Sequence, residues 1–255
     1  MRTIVVTGSA SGIGAAIRKR LEASGARVVG VDLKDAEVRG DLATPAGRAA
    51  AIAGVRAAVG GRLDGLVACA GIGPQVEAWD TIVSLDYFGA EATLSGLRDL
   101  LAAGEAPAAV AISSNSSSLP GADGPLCAAC LAGDEAEARR LALVEGGHSA
   151  YAGSKRALAL WVRRHAPGPD WAGVGIRLNA VAPGATMTPL LREGLAHPIY
   201  GDAIRGFPIP TGGFGTADDV AAAVVFLLGP DARFFCGSVV FCDGGSDAML
   251  RGDAY

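Results

Sequence analysis

Thr3-Ile4-Val5-Val6-Thr7 runs directly into Gly8-Ser9-Ala10-Ser11-Gly12-Ile13-Gly14 and on into Ala15-Ala16-Ile17-Arg18. A β-branched run, a turn with three glycines and an Ala-rich periodic segment spell strand, tight loop and helix in that order. Glycine at 8, 12 and 14 lets the backbone turn sharply, approach a ligand closely and seat the helix against the strand. The helix N-terminus then offers oriented N–H groups and partial positive charge, which suit a pyrophosphate. Gly8, Ser11, Gly12, Ile13 and Gly14 are therefore candidate nucleotide-binding residues. A glycine-rich turn alone is a weak signal; its place between a first strand and a first helix strengthens it.

Further along, short apolar runs alternate with longer Ala/Leu-rich stretches. Thr3 to Thr7, Arg27 to Asp32, Gly65 to Cys69, Ala108 to Ser113, Gly175 to Ala180 and Ser238 to Cys242 read as strands. Gly12 to Ser24, Pro45 to Val59, Phe88 to Ala103, Ser149 to His165 and Ala217 to Leu228 read as helices. Strands apolar on both faces, separated by helices, predict an α/β fold with a doubly wound parallel sheet of Rossmann type. One domain over residues 1–255 is expected, since no Pro-, Ser- or charge-rich linker divides the chain. Two connections exceed what a βα unit requires: a segment at about 119–148, with a helix expected from Asp134 to Val144, and a Pro- and Gly-rich loop at about 184–215, placed where a parallel sheet presents its ligands.

Composition narrows the function classes. The chain has 255 residues, 50% of them hydrophobic, and a net charge of -4, so a full core is available and no basic stripe for nucleic acid is expected. No apolar run approaches the ~18 residues of a membrane span, and Met1 leads into a strand-like run rather than a signal pattern, which predicts a soluble, cytoplasmic protein. Five cysteines with scattered spacing fit a reducing compartment. Cys127 and Cys130 form a lone CxxC without a second pair, and no metal site is expected. His148, His165 and His197 share no ligand spacing and read as surface or loop residues.

Asp32 ends the second strand about twenty residues after the glycine turn, the position from which a carboxylate accepts both ribose hydroxyls of NAD and repels the 2′-phosphate of NADP. No arginine follows it, so NAD is favoured over NADP; a helix cap or turn former is the other reading of Asp32. Leu33 beside it, and Asp41 and Leu42 after the next short polar stretch, are candidates for the adenosine end.

Tyr151-Ala152-Gly153-Ser154-Lys155 sets a phenol and an ammonium four residues apart in a helical segment, on one side of it. Tyrosine is a poor acid or base at its ordinary pKa of about 10, but a fixed positive charge favours the phenolate. Such a Tyr can pass a proton to a carbonyl or take one from an alcohol. Taken alone, the pair also reads as a packed ring and a lysine snorkelling off a surface helix.

Thr7 to Gly14, Cys69-Ala70-Gly71, Ser114, Tyr151 with Lys155, and Pro183-Gly184 followed by Thr188 together resemble the short-chain dehydrogenase/reductase family. The resemblance spans essentially the whole chain. Asp32 to Val38, Gly65 to Gln75, Tyr87 to Ala90, Ala182 to Leu191 and the long segment between Ser114 and Tyr151 look like its bacterial 3α-hydroxysteroid dehydrogenase/carbonyl reductase branch. The resemblance implies that Tyr151 exchanges the proton, Lys155 depresses its pKa and holds the nicotinamide ribose, and Ser114 hydrogen-bonds the reacting oxygen. It implies that Pro183, Gly184, Ala185, Thr186 and Thr188 close over the pyrophosphate and carboxamide, and that Cys69, Ala70 and Gly71 line the adenosine side. It also implies a homodimer or homotetramer, with the segment at 119–148 deciding which faces meet.

Two positions depart from the pattern. Cys69 stands where Asn is common, and Asp86 stands where the family usually carries an Asn whose backbone carbonyl serves the proton relay. Asp86 offers the same carbonyl, but an ionised carboxylate near Lys155 would weaken the lysine's influence and let the Tyr pKa rise.

The resulting expectation is an NAD-dependent oxidoreductase interconverting a secondary alcohol and a ketone on a small hydrophobic substrate, cyclic or steroid-like. Terpene alcohols and dihydrodiols are alternatives, as is a non-catalytic NAD-binding sensor. Met187, Leu190 and Leu191, with Leu195, Ile199, Tyr200 and Phe207, either form an apolar lid over the substrate or anchor their own loop.

Overall fold

The computed structural model describes residues 1–254. Its strands are β1 (Thr3–Thr7), β2 (Arg27–Asp32), β3 (Val38–Arg39), β4 (Gly65–Ala68), β5 (Ala108–Ile112), β6 (Arg177–Pro183), the short β7 (Thr186–Met187) and β8 (Gly215–Thr216), and β9 (Val239–Cys242). Seven of them form one sheet in the order β3-β2-β1-β4-β5-β6-β9, every pair parallel. The chain reverses direction across the sheet between β1 and β4. That switch point opens a crevice beyond the carboxyl ends of the strands, where an open α/β sheet binds its ligands.

Helices cover both faces, which is why the central strands carry no polar alternation. α1 (Gly12–Ala23) lies on one face; the other carries α2 (Pro45–Val59), α3 (Trp79–Val83), α4 (Ala90–Gly96) and α5 (Arg98–Ala102). α6 (Pro125–Leu131) and α7 (Glu135–Glu145) precede the long α8 (Gly147–His165), and the chain ends with α9 (Pro189–Ala196), α10 (Gly201–Gly206), α11 (Ala217–Leu228) and α12 (Ser246–Leu250). Ile4 and Val6 of β1 pack with Ile17, Leu21, Val220 and Val224 of α1 and α11. Val5, between them, points the other way into the core with Val55, Leu94 and Leu158. Period-two alternation thus distributes one strand between two cores.

Three boundaries differ from expectation. The helix predicted from Phe88 begins at Trp79 and passes through a π-turn at Ser84–Gly89, and Leu97, at φ -115°, separates α4 from α5. Buried Ser84 and Asp86 interrupt the apolar period there, so the pattern becomes regular only at Phe88. The strand predicted from Gly175 starts at Arg177, because Gly175 is left-handed at φ +82°, and continues to Pro183 in register with β9. The 119–148 segment holds two helices rather than one. Pro125 at the first helical position starts α6, a signal the sequence carries. No helix among the described residues is long and apolar enough to cross a membrane.

Candidate active site

The glycine turn is folded back on itself so tightly that side chains have no room. A Cβ on Gly14 would sit 2.0 Å from the Gly8 carbonyl oxygen, and one on Gly8, itself at φ +67°, would sit 2.8 Å from the Ala70 Cα. The turn therefore packs directly on Cys69-Ala70-Gly71, which Thr7 holds by accepting the Cys69 and Ala70 N–H groups on its hydroxyl at 2.9 and 3.0 Å. α2, α7, α9 and α11 each receive a side-chain cap, whereas the Ser11 side chain makes no such bond at the start of α1. The first-turn residues of α1, Gly12, Ile13 and Gly14, line the cleft with amides that have no partner within the helix, an arrangement suited to an anion.

This crevice is a cavity of about 540 Å³, well within the range of small-molecule sites. Gly8, Ser11, Gly12, Ile13, Gly14, Asp32, Leu33, Asp41, Leu42, Cys69, Ala70 and Gly71 all line it. Pro183, Gly184, Ala185, Thr186 and Thr188 form the opposite wall, and a Cβ on Gly12 would lie 3.6 Å from Thr188 across the gap. Asp32 accepts the Ala10 N–H at 3.0 Å and the Leu33 N–H at 2.7 Å, so its carboxylate braces the glycine turn. The narrow glycine-lined gap and a carboxylate at its end fit a dinucleotide.

Ser114, Tyr151, Lys155 and Asp86 come together at the other end of the same cavity. Ser113 follows β5 and donates to the Lys155 carbonyl at 2.8 Å, while Lys155 Nζ donates to the Ile112 carbonyl at 3.1 Å, which docks α8 on the strand end. Ser114 then caps a 3₁₀ turn at Asn115–Ser118, accepting the Ser116 N–H at 3.2 Å. Lys155 Nζ lies 5.8 Å from the centre of the Tyr151 ring, one helical turn away. Asp86, fully buried, reaches from the π-turn beneath both; its Oδ2 is 3.3 Å from Lys155 Nζ and its Oδ1 accepts the Ile72 N–H at 2.9 Å.

These contacts bias the charges. Burial raises the Asp86 carboxyl against the opposing pull of Lys155 and the Ile72 N–H. Burial pulls the Lys155 ammonium down, but Asp86 and smaller contributions from Tyr151 and Cys69 together outweigh this and raise it above the ordinary lysine value. Burial raises the Tyr151 phenol; Lys155 opposes this, Asp86 reinforces it, and the Ser114 hydroxyl favours the phenolate. The Cys69 thiol, pushed up to about 12 by burial, stays neutral.

Leu119, Leu190, Leu191, Tyr200, Ile204 and Phe207 line the cavity from α9, α10 and their surroundings, an apolar wall. Met187 does not line it. It is paired with Thr216 in the small β7–β8 sheet, and strand alternation turns Thr186 and Thr188 inward at its expense. Leu195 and Ile199 are likewise not among the lining residues, and Ile199 is exposed. His148, read from sequence as a surface or loop residue, is exposed and also lines the cavity. Its position three residues before Tyr151 on α8 places both on one helix face, a spacing from which its location follows. Gln75 also lines the site and donates to the Leu190 carbonyl at 3.3 Å, joining the cleft wall to the loop above it.

Beyond the cavity, α8 and β6 are held by packing and backbone contacts. Trp161 and Trp171 meet edge to face at 5.8 Å, and Trp161 also stacks on His165. Asn179 donates to the Phe235 carbonyl and accepts the Ser238 N–H, both at 3.0 Å. Among the described residues, no group of three or more His, Cys, Asp or Glu side chains is placed to hold a metal ion.

Known proteins share this arrangement. A family model described as short chain dehydrogenase matches residues 2–143, and one described as Enoyl-(Acyl carrier protein) reductase matches residues 139–247. The chain is 46% identical to the 3-alpha-hydroxysteroid dehydrogenase/carbonyl reductase of Comamonas testosteroni, over 98% of each chain. It is 34% identical to the cis-4-hydroxycyclohexanecarboxylate dehydrogenase of Sinomonas cyclohexanicum, over 97% of each. Among solved structures, the 3-alpha-hydroxysteroid dehydrogenase of Pseudomonas sp. B-0831, complexed with NADH, superposes with a TM-score of 0.97 at 47% identity, covering 99% of this chain and 100% of that one. With the glycine turn, the Tyr151–Lys155 pair and the parallel sheet all in one crevice, and matches along its full length, the chain belongs to the short-chain dehydrogenase/reductase family.

Proposed function

We propose that this protein is an NAD-dependent oxidoreductase that interconverts a secondary alcohol and a ketone on a hydrophobic, cyclic or steroid-like substrate, with Tyr151 as the acid/base. The observation that carries the reading is the convergence of Tyr151, Lys155 and Ser114 on the cavity whose other end is the glycine turn and Asp32. A relative that is 46% identical carries the name 3-alpha-hydroxysteroid dehydrogenase/carbonyl reductase, and a 34% identical one is named for a hydroxycyclohexane acid, which supports a cyclic alcohol or ketone. The NADH complex of the Pseudomonas enzyme and the carboxylate at Asp32 both support NAD over NADP.

Gly8, Ser11, Gly12, Ile13 and Gly14, with the free amides of α1, bind the pyrophosphate. Asp32, Leu33, Asp41 and Leu42 take the adenosine, with Cys69, Ala70 and Gly71 along its side; Pro183 to Thr188 close from above. The dinucleotide supplies the hydride acceptor or donor. Ser114 orients the substrate oxygen toward Tyr151. In the oxidative direction the Tyr151 phenolate takes the hydroxyl proton, and in reduction the phenol returns it to the carbonyl oxygen. Lys155 lowers the cost of the phenolate through its charge, and the apolar wall of Leu190, Leu191 and Phe207 excludes water from the ring system. Self-association as a homodimer or homotetramer belongs to the same reading.

An NAD-coupled absorbance screen over steroids, terpene alcohols and dihydrodiols tests it. Turnover of a cyclic alcohol or ketone, lost in Tyr151→Phe while dinucleotide affinity is retained, is expected. Turnover that survives in Tyr151→Phe rejects the proton-transfer role, and dinucleotide binding without any turnover favours a sensor.

A further inference from the structure

Asp86 is a carboxylate with no exposed surface, buried in the π-turn at Ser84–Gly89 at one end of the cavity. Its Oδ1 is satisfied by the Ile72 N–H at 2.9 Å. Its Oδ2 has no hydrogen bond of good geometry among the described residues and faces one cation, Lys155 Nζ at 3.3 Å. Gly71 is glycine at the point of closest packing, since a Cβ there would lie 3.2 Å from both Asp86 Oδ1 and Lys155 Nζ. A phenol, a cation and a carboxylate thus meet at one end of the cavity, with the Gly71 backbone packed against the charged pair.

We infer that the Asp86 carboxylate is a positioning residue that sets the pH window of the reaction, holding Lys155 as an ammonium while cancelling part of its field at Tyr151. The inference rests on the proposed roles of Tyr151 and Lys155. Two consequences of a single negative charge act in the same direction on the pH axis. A carboxylate beside Lys155 keeps the ammonium protonated to higher pH, which extends the alkaline limit of activity. The same charge disfavours a phenolate on Tyr151, which moves the acidic limit of alcohol oxidation upward. The whole window is displaced toward alkaline pH rather than widened or narrowed.

The titratable groups around the pair are few. α8 contributes Tyr151, Lys155 and, one turn before Tyr151, His148; the π-turn contributes Asp86, and the turn after β4 contributes Cys69, whose thiol is held neutral by burial. Asp32 acts on Cys69 from the adenosine end. The charges that act on Tyr151 are those of Lys155 and Asp86, and the buried surroundings keep their interaction strong.

Asp86→Asn tests this with minimal change of shape, since the amide oxygen can still accept the Ile72 N–H. Profiles of kcat/KM against pH for alcohol oxidation are measured for the wild type, Asp86→Asn and the smaller Asp86→Ser. Both limbs are expected to move to lower pH in both variants, by on the order of one pH unit, so that oxidation below the wild-type acidic limb rises about tenfold. Limbs that stay in place, or a loss of kcat that is uniform across pH, overturn the inference. If neither variant folds, the ultraviolet difference titration of wild type against Tyr151→Phe, without dinucleotide, decides. Phenolate from Tyr151 is expected only above the ordinary tyrosine value of about 10, and its appearance at lower pH overturns the inference. Activity surviving in Tyr151→Phe would reject the proposed function itself; unmoved limbs with Tyr151 still required reject only the role of Asp86.

Discussion

Arg48 of α2 and Glu135 of α7 form a bidentate ion pair that joins the 119–148 segment to the chain beside the cleft. The side chains are 10% and 23% exposed. Arg48 also donates to the Leu42 carbonyl at 3.0 Å and the Ala43 carbonyl at 3.3 Å, and its guanidinium lies 5.9 Å from the centre of the Phe88 ring. Leu42 lines the cavity, so α7 is tied through one guanidinium to the wall proposed to hold the adenosine. Glu135→Gln leaves Arg48 largely buried with its charge half answered, which is expected to cost about 2 kcal/mol in urea unfolding. The Leu42–Ala43 turn loosens with it, so KM for the dinucleotide is expected to rise while kcat holds. Unchanged stability and KM would show the clamp to be idle.

How far the sequence foretells this molecule depends on whether a signal is local. The glycine turn, Asp32 and the Tyr151–Lys155 pair are each set by a few neighbouring residues, and the cavity brings all of them together. Boundaries failed where tertiary packing overrode the period, as at Ser84 and Asp86 in the π-turn. Met187 shows a second limit: an apolar loop residue suggests a lid, but its direction is fixed by pairing with Thr216, far along the chain. The contacts of Arg48 and of Asp86 are of the same kind. Both residues are buried charges whose partners lie on other elements, and no pattern within one element announces them.

Two glycine substitutions separate strain from crowding. Gly8 and Gly25 are both left-handed, at φ +67° and +84°. A Cβ on Gly25 meets nothing within 4 Å, whereas one on Gly8 comes within 3.0 Å of the Ala70 backbone. Gly25→Ala is expected to cost about 1 kcal/mol from conformation alone. Gly8→Ala adds displacement of the Cys69–Gly71 turn and is expected to cost upwards of about 2 kcal/mol, with loss of dinucleotide binding. Thermal unfolding and fluorescence titration check both; equal losses would remove crowding from the explanation.

Cofactor choice is expected to rest on Asp32. On the proposed reading its carboxylate would oppose a 2′-phosphate by like charge, and it also braces Ala10 at 3.0 Å. Asp32→Ser removes the charge and shortens the side chain. The NADH-over-NADPH affinity ratio is expected to fall by about tenfold or more, equivalent to at least about 1.4 kcal/mol of lost discrimination. NADH should weaken as well, because both the ribose acceptor and the brace are lost. A ratio unchanged in the variant would locate the selectivity elsewhere.

Asp64 provides a pH dependence that can be worked through with its sign. The residue is buried before β4, where Oδ2 accepts the Thr3 N–H at 2.8 Å and Oδ1 the Glu105 N–H at 2.9 Å. Burial pushes its carboxyl up, but the N–H groups of Glu105 and Thr3, with Arg62 and Arg2 nearby, outweigh burial and hold it below the usual range. A carboxyl depressed in the folded state binds protons more readily when unfolded. Its contribution is therefore present in full above the unfolded value of about 3.9 and is lost as pH falls through the lower folded value. Asp64→Asn can offer one carbonyl oxygen, but its amide nitrogen then confronts an N–H donor. The variant is expected to be about 2 kcal/mol less stable than the wild type at neutral pH. Because the wild type alone loses this carboxylate on acidification, the gap should close as pH drops below about 4. Urea unfolding of both proteins across that interval checks the sign, and a gap that stayed constant with pH would mean that the two backbone bonds do not depend on the charge.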